Sequence, residues 1–451
     1  VHVVIVGGGL VGSSLAEKLS GDGHDVVLVE QNRELISELN DRLDVQTIAG
    51  NGATMPVLLK AGIEQCELLL ASTDSDEANM VVALVGSALC KVPKVVARLR
   101  DSGHEESFRR IASEMGGERM SINPDMAAVD RILSLIPVPG AIDVVPFFGG
   151  SLLVAGFVIR PDSEFAGLML SHLRLLFPAT PMLVVAIRRD GQWTVPHGED
   201  EILAGDLVYF AMDPGELDNV LTLLGLRRAE ERRVMIAGAN RIGIALAKRL
   251  ESEDIRVTLL DARRPRCEAA AAELNKTVVV HGGPTDRELL VEEGAEAVES
   301  FVACTEDHEE NVVACLLARR LGAAHTFALV DNPALAGLIG ELGIDAIISP
   351  RLLSVGLALQ FARKGRVRAV APLMEDFVEA IEVEAAPQCG LASASLAELG
   401  LPKGVLVAAV QRGDDIRVPD GSDRIEAQDR VLLITTTATA SQLDPFLEGE
   451  S

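Results

Sequence analysis

The chain has 451 residues, more than one hydrophobic core usually serves, with a formal net charge of -26 and a pI near 4.7. That charge repels phosphate backbones and anionic lipid heads, and no Lys/Arg cluster with interleaved aromatics offsets it, so nucleic acid is excluded as a partner. Apolar residues make up 48% of the chain and mean hydropathy is +0.26, a surplus that reads as subunit interface.

The amino terminus enters a strand at once, which leaves no room for a charged leader with an apolar core, so secretion is not expected. Through residue 120, short β-branched runs alternate with helical spacing: Val1 to Val6, Val26 to Glu30, Val45 to Ala49, Leu68 to Ser72 and Val95 to Arg98 read as strands. This βαβα order predicts a doubly wound parallel sheet. Asn123-Pro124 starts a helix with Val129, Ile132, Leu133 and Ile136 on its apolar face, stopped by Pro137 to Gly140. The most apolar stretch, Val144 to Ile159, is broken by Pro146 and Gly149-Gly150 and is too short on either side to span a bilayer. From about 141 to 225 the strands Leu152 to Ile159, Met182 to Arg188 and Leu207 to Met212, parted by Pro, Gly and Asp turns, read as a small α+β module. The charged segment Arg227 to Arg233 reads as a solvated linker.

Then the pattern repeats. Gly7-Gly8-Gly9-Leu10-Val11-Gly12 is answered by Gly238-Ala239-Asn240-Arg241-Ile242-Gly243, Thr73 to Asn79 by Thr305 to Asn311, and Val195-Pro-His-Gly198 by Val418-Pro-Asp-Gly421. Ser349-Pro350 opens the matching helix, and Val405 to Gln411 and Arg430 to Thr435 match the later strands of the small module. The fold class is therefore α/β: two Rossmann-like doubly wound sheets, each followed by a small α+β module.

The first glycine turn joins a strand to a helix. Gly7 permits the tight turn, Gly9 lets backbone approach a pyrophosphate, Gly12 lets the helix lie close on the sheet, and the helix N-terminus carrying Leu10 and Val11 faces the phosphates. Glu30, eighteen positions after Gly12, ends the second strand. A carboxylate there accepts from ribose hydroxyls and repels a 2′-phosphate, favouring NAD or adenosine nucleotides over NADP. Thr73 and Asp74 lie where the fourth strand feeds a helix, with Asp74 expected as N-cap and Glu77 completing a capping box. Arg98 and Arg100 end the fifth strand on the same sheet edge, within reach of phosphate. In the copy, Asp261 keeps the ribose acid, but Asn240 crowds the pyrophosphate approach and Leu329 and Asp331 replace both arginines. Weak, altered or no dinucleotide binding is expected there.

Other chemistry is thin. No His-Glu-x-x-His, Gly-x-Ser-x-Gly or phosphate-loop Lys motif occurs, and Glu306 to Glu310 read as an acidic helix start rather than a metal site. The six cysteines, with no Cys-x-x-Cys, read as reduced core thiols of a cytosolic protein. An NAD-dependent oxidoreductase with a duplicated fold and a non-binding assembly subunit remain as alternatives to a sensor, although no acid/base partner for a nicotinamide is evident.

Through VHVVIVGGGLVGSSLAEKL, the GNGAT turn at Gly50 to Thr54, STDSDEANM, VVARLR and the RVMIAGANRIGIALAKRLE copy, the chain resembles the TrkA regulators of Trk-type potassium uptake, built from tandem RCK (KTN) units. The resemblance implies the order RCK-N at 1–120, crossover helix and linker at 121–140, RCK-C at 141–225, RCK-N at 226–348, crossover helix at 349–369 and RCK-C at 370–451. It further implies a non-enzymatic cytoplasmic subunit, peripheral at the inner face of the membrane. Such a subunit is a homo-oligomer, with a tetramer implied, forming a ring under a membrane Trk potassium transporter and responding to NAD(H) or ATP and ADP. Where the family often has Gly-Asp after the third strand, this chain has Gly50-Asn51, so Asn51 is the residue at that contact.

Overall fold

The computed structural model describes residues 1–178, 180–226, 232–332, 343–362, 367–373, 378–387, 389–436, 439 and 441–447, with backbone only at 174, 367–373, 441 and 444. In chain order the first lobe runs β1 (His2–Val6), α1 (Leu10–Gly21), β2 (Asp25–Glu30), α2 (Arg33–Arg42), β3 (Gln46–Ala49), α3 (Met55–Lys60), β4 (Leu68–Ala71), α4 (Asp76–Leu84), β5 (Lys94–Arg98), α5 (Ser102–Ala112) and β6 (Glu118–Ile122). The strands pair in parallel in the order β3-β2-β1-β4-β5-β6. Helices cover both faces, so the central strands are apolar along their length: Val3 to Val6 and Leu68 to Ala71 are buried throughout. Strand order reverses between β1 and β4, which opens a crevice at their carboxyl ends, the usual place for a ligand in such sheets. Edge strand β6 was not among the sequence-predicted strands, because Glu-Arg-Met-Ser-Ile has no β-branched run and only Ile122 is buried.

Helix α6 (Pro124–Leu135) follows, capped by Asn123 Oδ1, which accepts from the Asp125 and Met126 N–H at 3.2 Å each. The first small module contains β7 (Ala141–Phe147), β8 (Leu152–Val158), β9 (Leu168–Met169), α7 (Leu170–Leu176), β10 (Met182–Arg189), β11 (Gln192–Thr194), β12 (Glu201–Ile202), β13 (Leu207–Met212) and α8 (Leu217–Leu223). Its antiparallel sheet has the order β11-β10-β13-β8-β7. The apolar stretch at 144 to 159 is thus a hairpin, and Pro146 is tolerated because β7 is the edge strand.

The second lobe repeats the first: β14 (Arg233–Ala237), α9 (Arg241–Ser252), β15 (Arg256–Asp261), α10 (Arg264–Glu273), β16 (Val278–His281), α11 (Arg287–Glu292), β17 (Ser300–Ala303), α12 (His308–Leu321), β18 (His325–Leu329) and β19 (Ala346–Ile348), in the order β16-β15-β14-β17-β18-β19. Helix α13 (Pro350–Ala362) follows, then β20 (Val367–Leu373), β21 (Val378–Glu384), β22 (Leu406–Arg412), β23 (Asp415–Arg417) and β24 (Arg430–Thr436), in the order β20-β21-β24-β22-β23. Of the expected linker, residues 227–231 lie outside the described residues.

The chain divides into two compact units, Val1–Val129 with Ser349–Arg363, and Asp130–Ile348 with Lys364–Ser451. Within the first, α13 packs on α1 and β6: Val355 and Ala358 are buried with Leu15, Leu19 and Ile122, and Lys94 Nζ donates to the Phe361 carbonyl at 3.0 Å. A helix from late in the chain therefore completes the first lobe. Within the second unit, the two antiparallel sheets share one core in which Phe147, Phe148 and Tyr209 meet Val378, Leu432 and Ile434. Buried Glu382 accepts from the Phe148 N–H at 2.8 Å and pairs with Arg430, whose guanidinium lies over the Phe148 ring. Among the described residues no helix is long and apolar enough to cross a membrane.

Candidate functional site

The first glycine turn sits at the carboxyl end of β1, beside the turn after β4. Gly7 has φ +106, and a Cβ on it would lie 2.8 Å from the Thr73 N. A Cβ on Gly12 would lie 1.8 Å from the Gly7 carbonyl, so glycine there is what lets α1 start so close to the strand. Gly9 differs from both. Its φ of -63 suits any residue, and a Cβ on it would meet no heavy atom within 4 Å. Neither backbone strain nor packing demands glycine at that position. As N-cap of α1 it supplies no side chain to the first N–H groups of the helix, which stay available to an anion. Leu10 beside it is 66% exposed, whereas Val11 is buried.

Glu30 closes the other side of the turn. Its Oε2 accepts from the Gly8 N–H at 2.7 Å, and its Oε1 from the Gln31 and Asn32 N–H at 2.7 and 2.8 Å. These three bonds fix the carboxylate and leave it acceptor capacity for a ribose hydroxyl, since a carboxylate offers about four lone-pair sites. Asn51 follows Gly50, whose N–H donates to the Glu30 carbonyl at 2.8 Å, and Asn51 Oδ1 accepts from the Ala53 N–H at 2.9 Å.

Across the crevice, Arg98 is largely buried. Its side chain is 12% exposed, its NH1 donates to the Thr73 carbonyl at 3.3 Å, and the Asp74 carboxylate lies 3.6 Å away. Its buried Nε has no hydrogen-bond acceptor among the described residues. Burial, and after it the neighbouring Arg100, pull the Arg98 pKa below its usual value. An anion would relieve both effects. Arg100 is placed by its backbone, whose N–H donates to Asp76 Oδ2 at 2.9 Å.

Asp74 is not the N-cap of α4. That role belongs to Ser75, whose Oγ accepts from the Ala78 N–H at 3.1 Å while donating to Glu77 at 2.8 Å; the expected capping box does not form, because the third helical residue is then Ala78 and Glu77 bonds the Ser75 hydroxyl instead of a backbone N–H. Asp74 is left 98% exposed, facing Arg98.

One organising residue carried no role in the sequence reading. Asn79 is fully buried: its Oδ1 accepts from the Thr73 N–H and Oγ1 at 2.8 Å each, and its Nδ2 donates to the Thr73 and Arg98 carbonyls at 3.0 and 2.8 Å. It ties the turn after β4 to the end of β5. Asn311 makes the same four bonds to Thr305 and Leu329 in the second lobe. The signal was visible, since both copies of the motif end in Asn.

Gly7, Gly9, Gly12, Glu30, Asn51, Thr73, Asp74, Arg98 and Arg100 thus share one sheet edge. Asp261 holds the equivalent place in the second lobe, its Oδ2 accepting from the Ala239 N–H at 2.8 Å and its Oδ1 from the Arg263 N–H at 2.7 Å. Asn240 caps α9: its Oδ1 accepts from the Ile242 and Gly243 N–H at 3.0 and 3.1 Å, and its Nδ2 donates to the Cys304 carbonyl at 2.5 Å. In the acidic run, Glu306 pairs with Arg263 and Arg266, and His308 Nδ1 accepts from the Asp331 N–H at 2.8 Å. No cluster suited to a metal occurs among the described residues.

The TrkA-N domain matches residues 3–115 and 234–350, and the TrkA-C domain matches 154–225 and 380–448. A Trk system potassium uptake protein TrkA from Azorhizobium caulinodans is 36% identical over 439 residues, covering 96% of this chain and 95% of the relative. This chain belongs to the TrkA family. Another TrkA, from Halomonas elongata, is 32% identical over 436 residues, with 96% of this chain and 95% of the relative covered. Among solved structures, the GsuK RCK domain superposes with a TM-score of 0.63 at 21% identity, over 99% of this chain and 94% of that one. The GsuK channel bound to NAD gives 0.62 at 19% identity, over 99% and 78%. Both are likenesses of fold, and they agree with the tandem RCK architecture of this TrkA-family chain.

Proposed function

We propose that this TrkA-family chain is a cytoplasmic, nucleotide-sensing regulatory subunit of a Trk-type potassium transporter, and that its first lobe is the sensor. The observation that carries the reading is the open side of Gly9 at an uncapped helix N-terminus, with the buried Nε of Arg98 lacking an acceptor among the described residues at the same sheet edge. The first turn of α1 would receive the pyrophosphate of NAD(H) or the phosphates of ATP or ADP, Glu30 would accept from the ribose, and Arg98, steadied by Asn79 and Asp74, would pair with phosphate. Binding of NAD by a structure of the same fold supports the choice of ligand class.

Ligand would favour one arrangement of the lobes, and a ring of subunits, taken here as a tetramer at the inner face of the membrane, would pass that preference to the transporter. Moving a state from rare to dominant needs on the order of 5 kcal/mol of differential affinity, which coupled subunits can share. Thermal melting with NADH, ATP, ADP and NADPH at millimolar levels tests the sensor: stabilisation by at least one of the first three is expected, and none by any contradicts it. Equal stabilisation by NADPH and NADH would remove the role given to Glu30. Potassium flux in vesicles carrying the Trk membrane subunit, with and without this chain and nucleotide, tests the gating.

A further inference from the structure

The second lobe carries side chains at the places where the first lobe has an open turn. Asn240 stands at the position of Gly9, and its Oδ1 accepts from two N–H groups of the first turn of α9, as a phosphate oxygen would. Its Nδ2 meanwhile reaches the Cys304 carbonyl and bridges the turn after β14 to the turn after β17. A second bridge lies further along the same edge. Arg263 and Arg266, at the start of α10, converge on Glu306 in the turn after β17 at 3.2 and 2.5 Å. The corresponding first-lobe residues are Asn32, Leu35 and Asp74: Asn32 caps α2, and Asp74, across the crevice from it, turns to Arg98 instead.

The remaining space beside these bridges is small and acidic. A cleft of about 350 Å³ is lined by residues that include five acids, Asp261, Glu306, Asp307, Glu309 and Glu310, and two bases, Arg263 and Arg266. Its volume lies at the bottom of the range of roughly 300–1,000 Å³ that small-molecule sites occupy, and its charge balance opposes a phosphate.

We infer that the second lobe is self-liganded: Asn240 and Glu306 supply from within the chain the two polar links that a nucleotide would supply in the first lobe. The second lobe is then held in the liganded arrangement at all times and serves as the fixed member of the pair, while the first lobe responds. This deepens the sensor reading and rests on it for its contrast, but its test is separate.

Hydrogen exchange on the full chain, with Gly9→Asp silencing the first lobe, reads both lobes at once. In wild type, NADH slows exchange at residues 7–12 and 72–79 and leaves residues 238–243 and 304–310 unchanged. In Gly9→Asp all four segments are unchanged by NADH. Without ligand, Asn240→Ala with Glu306→Gln speeds exchange at 241–243, whose N–H groups lose their cap, by about tenfold, the size of effect expected for one lost helix cap, and speeds exchange at 304–310 as the two bridges are lost. NADH protection of 238–243 with Asn240 and Glu306 in place overturns the inference, as does unchanged ligand-free exchange after both are replaced. Should the double variant fail to fold, the wild-type and Gly9→Asp measurements decide alone. Absence of protection at 7–12 in wild type with NADH, and with ATP and ADP in its place, would count against the sensor reading instead, leaving the second-lobe result to be judged on its own segments.

Discussion

Set side by side, the two glycine turns separate what a Rossmann-like lobe needs to fold from what it needs to bind. Gly12 and Gly243 are interchangeable: a Cβ would fall 1.8 Å from the Gly7 carbonyl in one lobe and 1.9 Å from the Gly238 carbonyl in the other. Asn79 and Asn311 make the same four bonds. The positions that differ are those facing the crevice, where Gly9 and Arg98 become Asn240 and Leu329. Residues that hold the backbone are kept in both lobes, and residues that would touch a phosphate are kept in one.

The largest expected effects break both lobes alike. Gly12→Val and Gly243→Val each drive a side chain into backbone that has no room to move, and each should cost about 3 kcal/mol or more, seen as a lowered Tm in melting curves. A mild effect at Gly243 beside a severe one at Gly12 would show that the second lobe tolerates distortion and would weaken the parallel. Asn79→Ala and Asn311→Ala should follow, each costing roughly 1–3 kcal/mol by leaving buried backbone groups without partners. In the first lobe that change should also weaken nucleotide, because the Arg98 carbonyl loses its anchor.

Arg98→Leu imports the second-lobe residue into the first. The fold accepts leucine at this site in the second lobe, so stability should change little, while loss of one charge-assisted bond to phosphate should weaken nucleotide about 10- to 100-fold by calorimetry. The smallest effect concerns the paired modules. Arg189 forks onto Asp206 and Arg412 onto Asp429, each at 2.7 Å. Burial alone would raise both aspartates, but the guanidinium and backbone N–H bonds outweigh it and hold them below the usual carboxylate range. A depressed folded pKa gives stability that is present above the unfolded value, about 3.9, and is lost as pH falls through the folded one. Acid unfolding should therefore begin below about pH 4, and Arg189→Met should raise its midpoint.

Much of this contrast was legible in the residues. The repeat, the strand–turn–helix context of Gly7 to Gly12, the acids Glu30 and Asp261, and the loss of both arginines all read directly, because each rests on local chemistry at fixed spacing. Strands β6 and β7 were not, since β6 has a polar face and no apolar run, and Pro146 interrupts the apolar run to which β7 belongs. The cap of α4 fell one residue from its expected place because Asp74 and Ser75 are both good caps, and the choice turns on Asp74 facing Arg98. The docking of α13 on α1 and β6 joins segments more than 200 positions apart, and no local pattern encodes it.

Titration calorimetry of NADH into the intact chain tests the asymmetry most directly. One NADH per chain is expected, abolished by Gly9→Asp and unaffected by substitution of Asn240. Two NADH per chain, or binding that survives Gly9→Asp, would contradict it.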